Sequence, residues 1–403
     1  MLGKRIFSTA SVALLLGACG GSTDFVGGTP DVQGLTLETA GGSGDGLALS
    51  ADATPGTDLT APVDTCADYE FFCNVRFAVA GVNYFVRVAL EPVEALVKLT
   101  PTEKPGDVRV YGPRGLPQSA PVANFQLTVK AMGNDLFRWK LEAQATSPAD
   151  APFLVVMAGQ LKKGDRPHRG RGSIGIDLDE LAAVNPTVFT GSGQLLASFA
   201  HVGASKALAF AARNFEPTSA APHPINAVFV GHKHDGVARV RLASMGAWAP
   251  PKGAATDTTP DELLLARAGF WAGIGGVAAV AVLDAPAPVG GTDVASYGVA
   301  GFQVDFFLGL SCVDASATDV FRDLFACSRA DVYPGTTRHC VALPVIGLPA
   351  WAHQLGTPAD CAAGTSPFSE LTPPATDPND TAMEDGAPVT PDAPPTAMPD
   401  SNF

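Results

Sequence analysis

Gly231-His232-Lys233-His234-Asp235-Gly236 holds the sharpest candidate chemistry in this chain. Two imidazoles at i and i+2, then a carboxylate, offer ligands to a divalent metal. Zinc would also want a third protein ligand, and no second motif supplies one at recognisable spacing. His201 and His223 become partners only if the fold delivers them. The same residues fall between two alternating apolar segments, where a polar turn flanked by glycine is expected on other grounds. In a strand, side chains at i and i+2 share a face; in a tight turn they need not. A solvated hairpin loop is therefore the favoured expectation for His232, His234 and Asp235, with metal binding as its rival and no cofactor expected.

Two further charged groups invite chemistry. Residues 162–171 contain Lys162, Lys163, Arg166, Arg169 and Arg171, the chain's one basic cluster. Such a group could hold an anion such as a lipid phosphate or an envelope polysaccharide. The competing reading is a charged loop between two strands, and that is preferred. Asp177, Asp179 and Glu180 alternate around Ile176, Leu178 and Leu181. Paired carboxylates can serve acid–base hydrolysis. Alternation instead predicts them on the wet face of a strand that buries Ile176 and Leu178. No G-x-S-x-G, H-E-x-x-H, Walker loop or kinase signature occurs, so the expectation is that the chain is not an enzyme.

The elements that must position these groups follow from periodicity. Val75, Val79, Val82, Val86, Leu90, Val93 and Val97 recur at spacings of three and four, which predicts a helix over 75–98. Phe77, Phe85 and Val88 make it apolar nearly all round, so it should be buried. Pro92 predicts a kink or break near Glu91, and a pair of strands turning at residues 80–83 is the alternative. From about residue 107 the period becomes two. Phe125, Leu127 and Val129 alternate with polar neighbours, Gly133-Asn134 turns the chain, and Phe137, Trp139 and Leu141 alternate in return. Similar segments follow at 153–161, 172–178, 193–201, 206–213, 225–231, 237–243, 264–270, 275–283 and 299–308. Residues 318–326 read as a short helix. The predicted fold is α+β: an antiparallel β-meander of about ten strands, curved or partly barrel-like, packed around an N-terminal apolar helix. A disulfide-stapled C-terminal segment completes it.

The two ends carry the charge. Residues 20–62 hold six acids and residues 367–403 hold seven, with no Lys or Arg in either. Removing those 13 from the 40 acids leaves 27 in residues 63–366. Removing Lys4 and Arg5 from the 26 bases leaves 24, so this middle is close to neutral and nothing suggests nucleic-acid binding. The Gly/Ser/Thr-rich stretch 20–62 is expected to be a flexible tether, and 367–403, with nine prolines, a disordered tail.

The first residues give an address. Lys4 and Arg5 precede an apolar run from Ile6 to Leu16, too short to span a bilayer of ~30 Å as a mature helix. Leu16-Gly17-Ala18-Cys19 then resembles the lipobox of bacterial lipoproteins. The resemblance covers these residues alone. It implies that residues 1–18 are a signal peptide and that Cys19 is the lipidated first residue of the mature chain. Gly20, where an Asp would imply inner-membrane retention, favours the outer membrane. Six cysteines remain: Cys66, Cys73, Cys312, Cys327, Cys340 and Cys361. An even number in an exported chain points to disulfides, with Cys66–Cys73 the best single pair and two bridges within 312–361. The expected organisation is a tether at 19–62, the main α+β domain at 63–310, its Cys-rich segment at 311–366 and the tail. The expected function is that of an outer-membrane lipoprotein with a structural or binding role. One alternative is a carrier or sensor of an apolar ligand held between sheet and helix, and another a metal-dependent envelope enzyme using His232 and His234.

Overall fold

A computed structural model describes residues 71–115, 123–148, 150–166, 169–216, 224–234, 236–246, 262–271, 273–284, 306–316, 318–328, 339–342 and 355–361. Cys19, Cys66, His223, Asp235 and the tail 367–403 lie outside the described residues.

The valine periodicity builds helix α1 (Phe71–Val97). Val75, Val79, Val82, Val86, Leu90, Val93 and Val97 are all buried. The predicted break at Pro92 does not occur, and no pair of strands replaces the helix. A proline inside a helix costs roughly 3 kcal/mol. Each fully buried apolar side chain returns about 1.5–3 kcal/mol. Leu90 before the proline and Val93, Leu96 and Val97 after it are buried, which is enough to carry the helix through.

Among the described residues alternation then builds fourteen strands. They are β1 (Val108–Gly115), β2 (Ala123–Gly133), β3 (Leu136–Ala145), β4 (Leu154–Lys163), β5 (Gly170–Asp177), β6 (Ser192–Val202) and β7 (Ser205–Glu216). There follow β8 (Ile225–His234), β9 (Val237–Gly246), β10 (Glu262–Trp271), β11 (Gly275–Asp284), β12 (Phe306–Asp314), β13 (Asp319–Ser328) and β14 (His339–Ala342). Each pairs antiparallel with the next, so the sheet is a meander in sequence order. Among the described residues β1 and β14 do not pair, and the sheet is open rather than barrel-like.

Two sequence expectations are corrected. Residues 318–326 are strand β13, not a helix. Both faces of that strand are apolar in part, and Val320, Phe321, Leu324 and Phe325 therefore mimic a helical stripe. Asp177 ends β5, and a short helix α2 (Leu178–Val184) follows where strand was expected. The Asp177 carboxylate accepts from the Glu180 backbone N–H at 3.1 Å and so caps that helix. Asp179 and Glu180 then fall in its first turn, where acids complement the helix dipole.

The core lies between α1 and one face of the sheet. The helix contacts β1 and β2 near one end of the meander and β10, β11 and β12 toward the other. In the middle, the Phe85 ring stands 5.0 Å from that of Phe210 on β7. The sheet therefore curves around the helix. Glycines make this approach possible. A Cβ on Gly276 would lie 2.2 Å from the Phe72 ring, and one on Gly309 would lie 2.2 Å from the Phe71 ring. Phe72 also meets Phe270 edge-on at 4.9 Å.

The C-terminal segment is tied to the opposite face. Leu355 exchanges two backbone hydrogen bonds with Arg322 on β13. A 3₁₀ turn, Pro358–Asp360, leads to Cys361, which is disulfide-bonded to Cys312 on β12. Cys327 is also disulfide-bonded and stands opposite Cys340 in the β13–β14 ladder. Cys73 on α1 is disulfide-bonded as well.

Candidate functional site on the outer face of the sheet

Period two divides every strand between an inner face, toward α1, and an outer face. The ladder registers therefore show which sequence-distant residues share a row. One outer row runs Lys162, Arg171, Ala200, Ala207, His232, Arg239, Gly269, Val277 and Cys312, from β4 to β12. The next row, two residues along, runs Gln160, Ser173, Ser198, Ala209, Val230, Arg241, Arg267, Ala279 and Leu310. The histidine motif and the basic cluster thus belong to one surface. No reading of local spacing could join them, because 61 positions separate Arg171 from His232.

His232 and His234 do not form a turn. Both lie on β8, and their rings stack with centroids 6.4 Å apart and planes 24° apart. The solvated-loop expectation is corrected accordingly: strand pairing continues to the last residue before Asp235. Nδ1 of His234 is 2.7 Å from the Ser205 hydroxyl. Nε2 of His232 is buried without a hydrogen-bond partner. Burial first, then the charges of His234 and Arg239, holds the His232 imidazole below its ordinary value of 6.5. That ring is thus favoured as a neutral donor set at neutral pH. Among the described residues no three of His, Cys, Asp and Glu stand together to hold a metal. His201 does not join the pair. It occupies the inner parity of β6, opposite Gly170 and Lys206.

The basic cluster divides in two. Lys162 and Arg171 oppose each other on the outer face and are exposed. The Gly164 N–H donates to the Arg169 carbonyl at 2.7 Å. Lys163 lies on the inner parity opposite Gly170. Arg169 turns away from the others, its Nη1 reaching the His201 Nε2 and donating to the Gly203 carbonyl. Arg166 is exposed in the turn. Arg239, Arg241 and Arg267, absent from the sequence-derived candidates, complete the cationic face instead. The signal was present as Arg-x-Arg alternation in 239–241, but only the register with β10 sets Arg267 beside Arg241.

The carboxylates serve structure. Asp177 accepts from the Gln194 side chain at 2.9 Å besides capping α2, and Asp179 accepts from the Gly193 N–H at 3.1 Å. They fasten α2 to the start of β6. The outer face then has three zones. Around β3 it is charged and paired, with Lys140 and Glu142 3.0 Å apart. From β5 to β10 it is cationic over a floor of Ala and Ser. From β11 to β13 it becomes a second apolar cluster of Val277, Leu308, Leu310, Phe321 and the Cys312–Cys361 bridge. Guanidinium groups present planar forks of donors of the kind that suit an anion. No family model, curated protein or solved structure matches this chain.

Proposed function

We propose that the chain is an outer-membrane lipoprotein with a structural or binding role, anchored through a lipid on Cys19 and acting through the outer face of its sheet. The observation that carries the binding reading is the occupancy of the inner face. Phe71 and Phe72 fill the clearings above Gly309 and Gly276, and the valine stripe of α1 is buried along its length. An apolar ligand between sheet and helix would have to displace these side chains. The outer face, where Lys162 and Arg171 are exposed, is the recognition surface this reading uses. An exported location agrees with the disulfide-bonded Cys73, Cys312, Cys327 and Cys361.

Two measurements test the two halves of this reading. Cys19→Ser should abolish lipid labelling and release the protein from membranes; retained label would overturn the anchor. Native mass spectrometry after gentle extraction should show the folded domain without co-purifying lipid, and added fatty acid should leave its Tm unchanged. A stoichiometric lipid in the domain would replace this reading with the carrier.

A further inference from the structure

In a meander every second connection returns to the same end of the sheet, and here that end holds the turns β2–β3, β4–β5, β6–β7 and β10–β11. The first three touch. The Lys163 N–H donates to the Asp135 carbonyl at 2.9 Å, and the Arg169 guanidinium donates to the Gly203 carbonyl. Residues 130–138, 162–171 and 201–206 make these hairpin ends and carry eight Lys or Arg against Asp135 and Asp165. The connections at the opposite end, 142–154 and 177–194, carry five acids and no Lys or Arg. Of the five exposed large apolar side chains among the described residues, three stand at the cationic end: Met132 at 42%, Val202 at 47% and Ile274 at 46%. We propose that this end of the sheet is a docking rim for an anionic lipid surface, with Lys162, Arg166 and Arg171 meeting the headgroup phosphates and Met132 and Val202 entering the apolar boundary beneath them.

Charge and apolarity together single out a bilayer. Lys162 and Arg171 face each other across the β4–β5 ladder. Both are exposed, and neither side chain makes an ion pair or hydrogen bond among the described residues. Like charges placed directly opposite repel, so an anion between them stabilises the pair. Arg166 extends the exposed cations into the turn itself. Cations alone would serve a soluble polyanion. Here Met132 and Val202 flank them, four strands or about 19 Å apart. Apolar side chains at the tips of turns reach past the phosphates into the acyl boundary while the cations stay at the headgroups, and attachment to a membrane surface grows with both contributions. By itself such a rim binds reversibly; joined to a lipid anchor it fixes which end of the domain faces the membrane. The inference names a partner for the binding surface proposed above and does not depend on lipidation of Cys19.

The test uses residues 20–403, which hold every described element and lack both the apolar run and the candidate lipid acceptor. This chain should co-sediment with vesicles of mixed phosphatidylglycerol and phosphatidylcholine, and far less with phosphatidylcholine alone. Salt at ~1 M, where the Debye length is about 3 Å, should release most of it. Lys162→Gln with Arg166→Gln and Arg171→Gln should weaken vesicle binding roughly a hundredfold, at about fivefold for each cation near the surface. Met132→Gln with Val202→Thr should weaken it about tenfold and leave elution from immobilised heparin unchanged. Arg114→Gln with Arg213→Gln, at the opposite end of the sheet, should leave vesicle binding unchanged. All seven positions are exposed, so each variant should melt as the parent does. A parent that ignores the anionic vesicles would overturn the proposal, and a lipidated Cys19 found alongside would leave the anchor standing without the rim. Equal losses from the two ends would also overturn it. So would an apolar variant that binds vesicles as the parent does, which would leave a surface for soluble polyanions instead.

Discussion

The outer faces of β3 and β12 differ although both strands contribute to the same inner core. On β3, Phe137, Trp139, Leu141 and Ala143 are buried inward, while Arg138, Lys140 and Glu142 project outward. On β12, Phe307 and Val313 are buried inward, and Leu308, Leu310 and Cys312 are buried outward as well. A strand with one wet face needs only the helix as a partner. A strand with two apolar faces needs a second layer, and the bridge Cys312–Cys361 fastens part of one there. The sheet therefore has one core shared along the meander and a second confined to its C-terminal strands.

Substitutions can break this comparison. Phe72→Ala on the inner side should cost about 3–5 kcal/mol, and Leu310→Ala on the outer side about 2–5 kcal/mol, by denaturant unfolding. Lys140→Ala, on the outer face of β3, should stay within about 1 kcal/mol. A negligible loss for Leu310→Ala would show that the outer cluster is not a core.

Removing the bridge comes next. Cys361→Ser opens a loop whose ends are 49 positions apart, and chain entropy predicts a loss of about 2–4 kcal/mol. An unchanged midpoint would mean that the 355–361 segment holds without it.

Glycines sharpen the same contrast. Gly309→Ala forces its Cβ against the Phe71 ring and should destabilise by about 1–3 kcal/mol. Gly81, inside α1, has open space around its Cβ position, so Gly81→Ala should stabilise by about 0.5–1 kcal/mol. Thermal melts of both variants would check the opposite signs.

The smallest effect is electrostatic. The folded His232 imidazole has a lowered pKa, so between 6.5 and that lowered value the unfolded chain binds a proton that the folded chain does not. Stability should thus fall as pH drops through 6.5, the loss being complete below the folded value. His232→Gln should flatten the Tm profile between about pH 7 and 5. An unchanged slope would assign the acid sensitivity to other groups.

Local pattern made most strands legible. The hairpin at Gly133-Asn134 forms with Asn134 and Asp135 at positive φ, where such residues are tolerated. The helix of 75–98 was legible because its valines recur on one stripe. Strand β13 was not, since apolar side chains on both faces erase the period that separates strand from helix. Asp177 was misplaced because a helix N-cap and a strand end share the same residue types. The basic cluster was visible as composition, yet its division was not. Arg169 turns toward His201 and Gly203, while Arg171 projects with Lys162, and only the β4–β7 register decides that.

By itself the sequence determined the neutral middle between acidic ends, the buried helix and the succession of antiparallel hairpins. These depend on neighbours within a few residues. The tertiary structure decided which residues share a surface. Strand register carries Lys162, Arg171, His232, Arg239 and Cys312 into one row across nine strands. A slip of one residue at any ladder would have sent part of that row to the inner face.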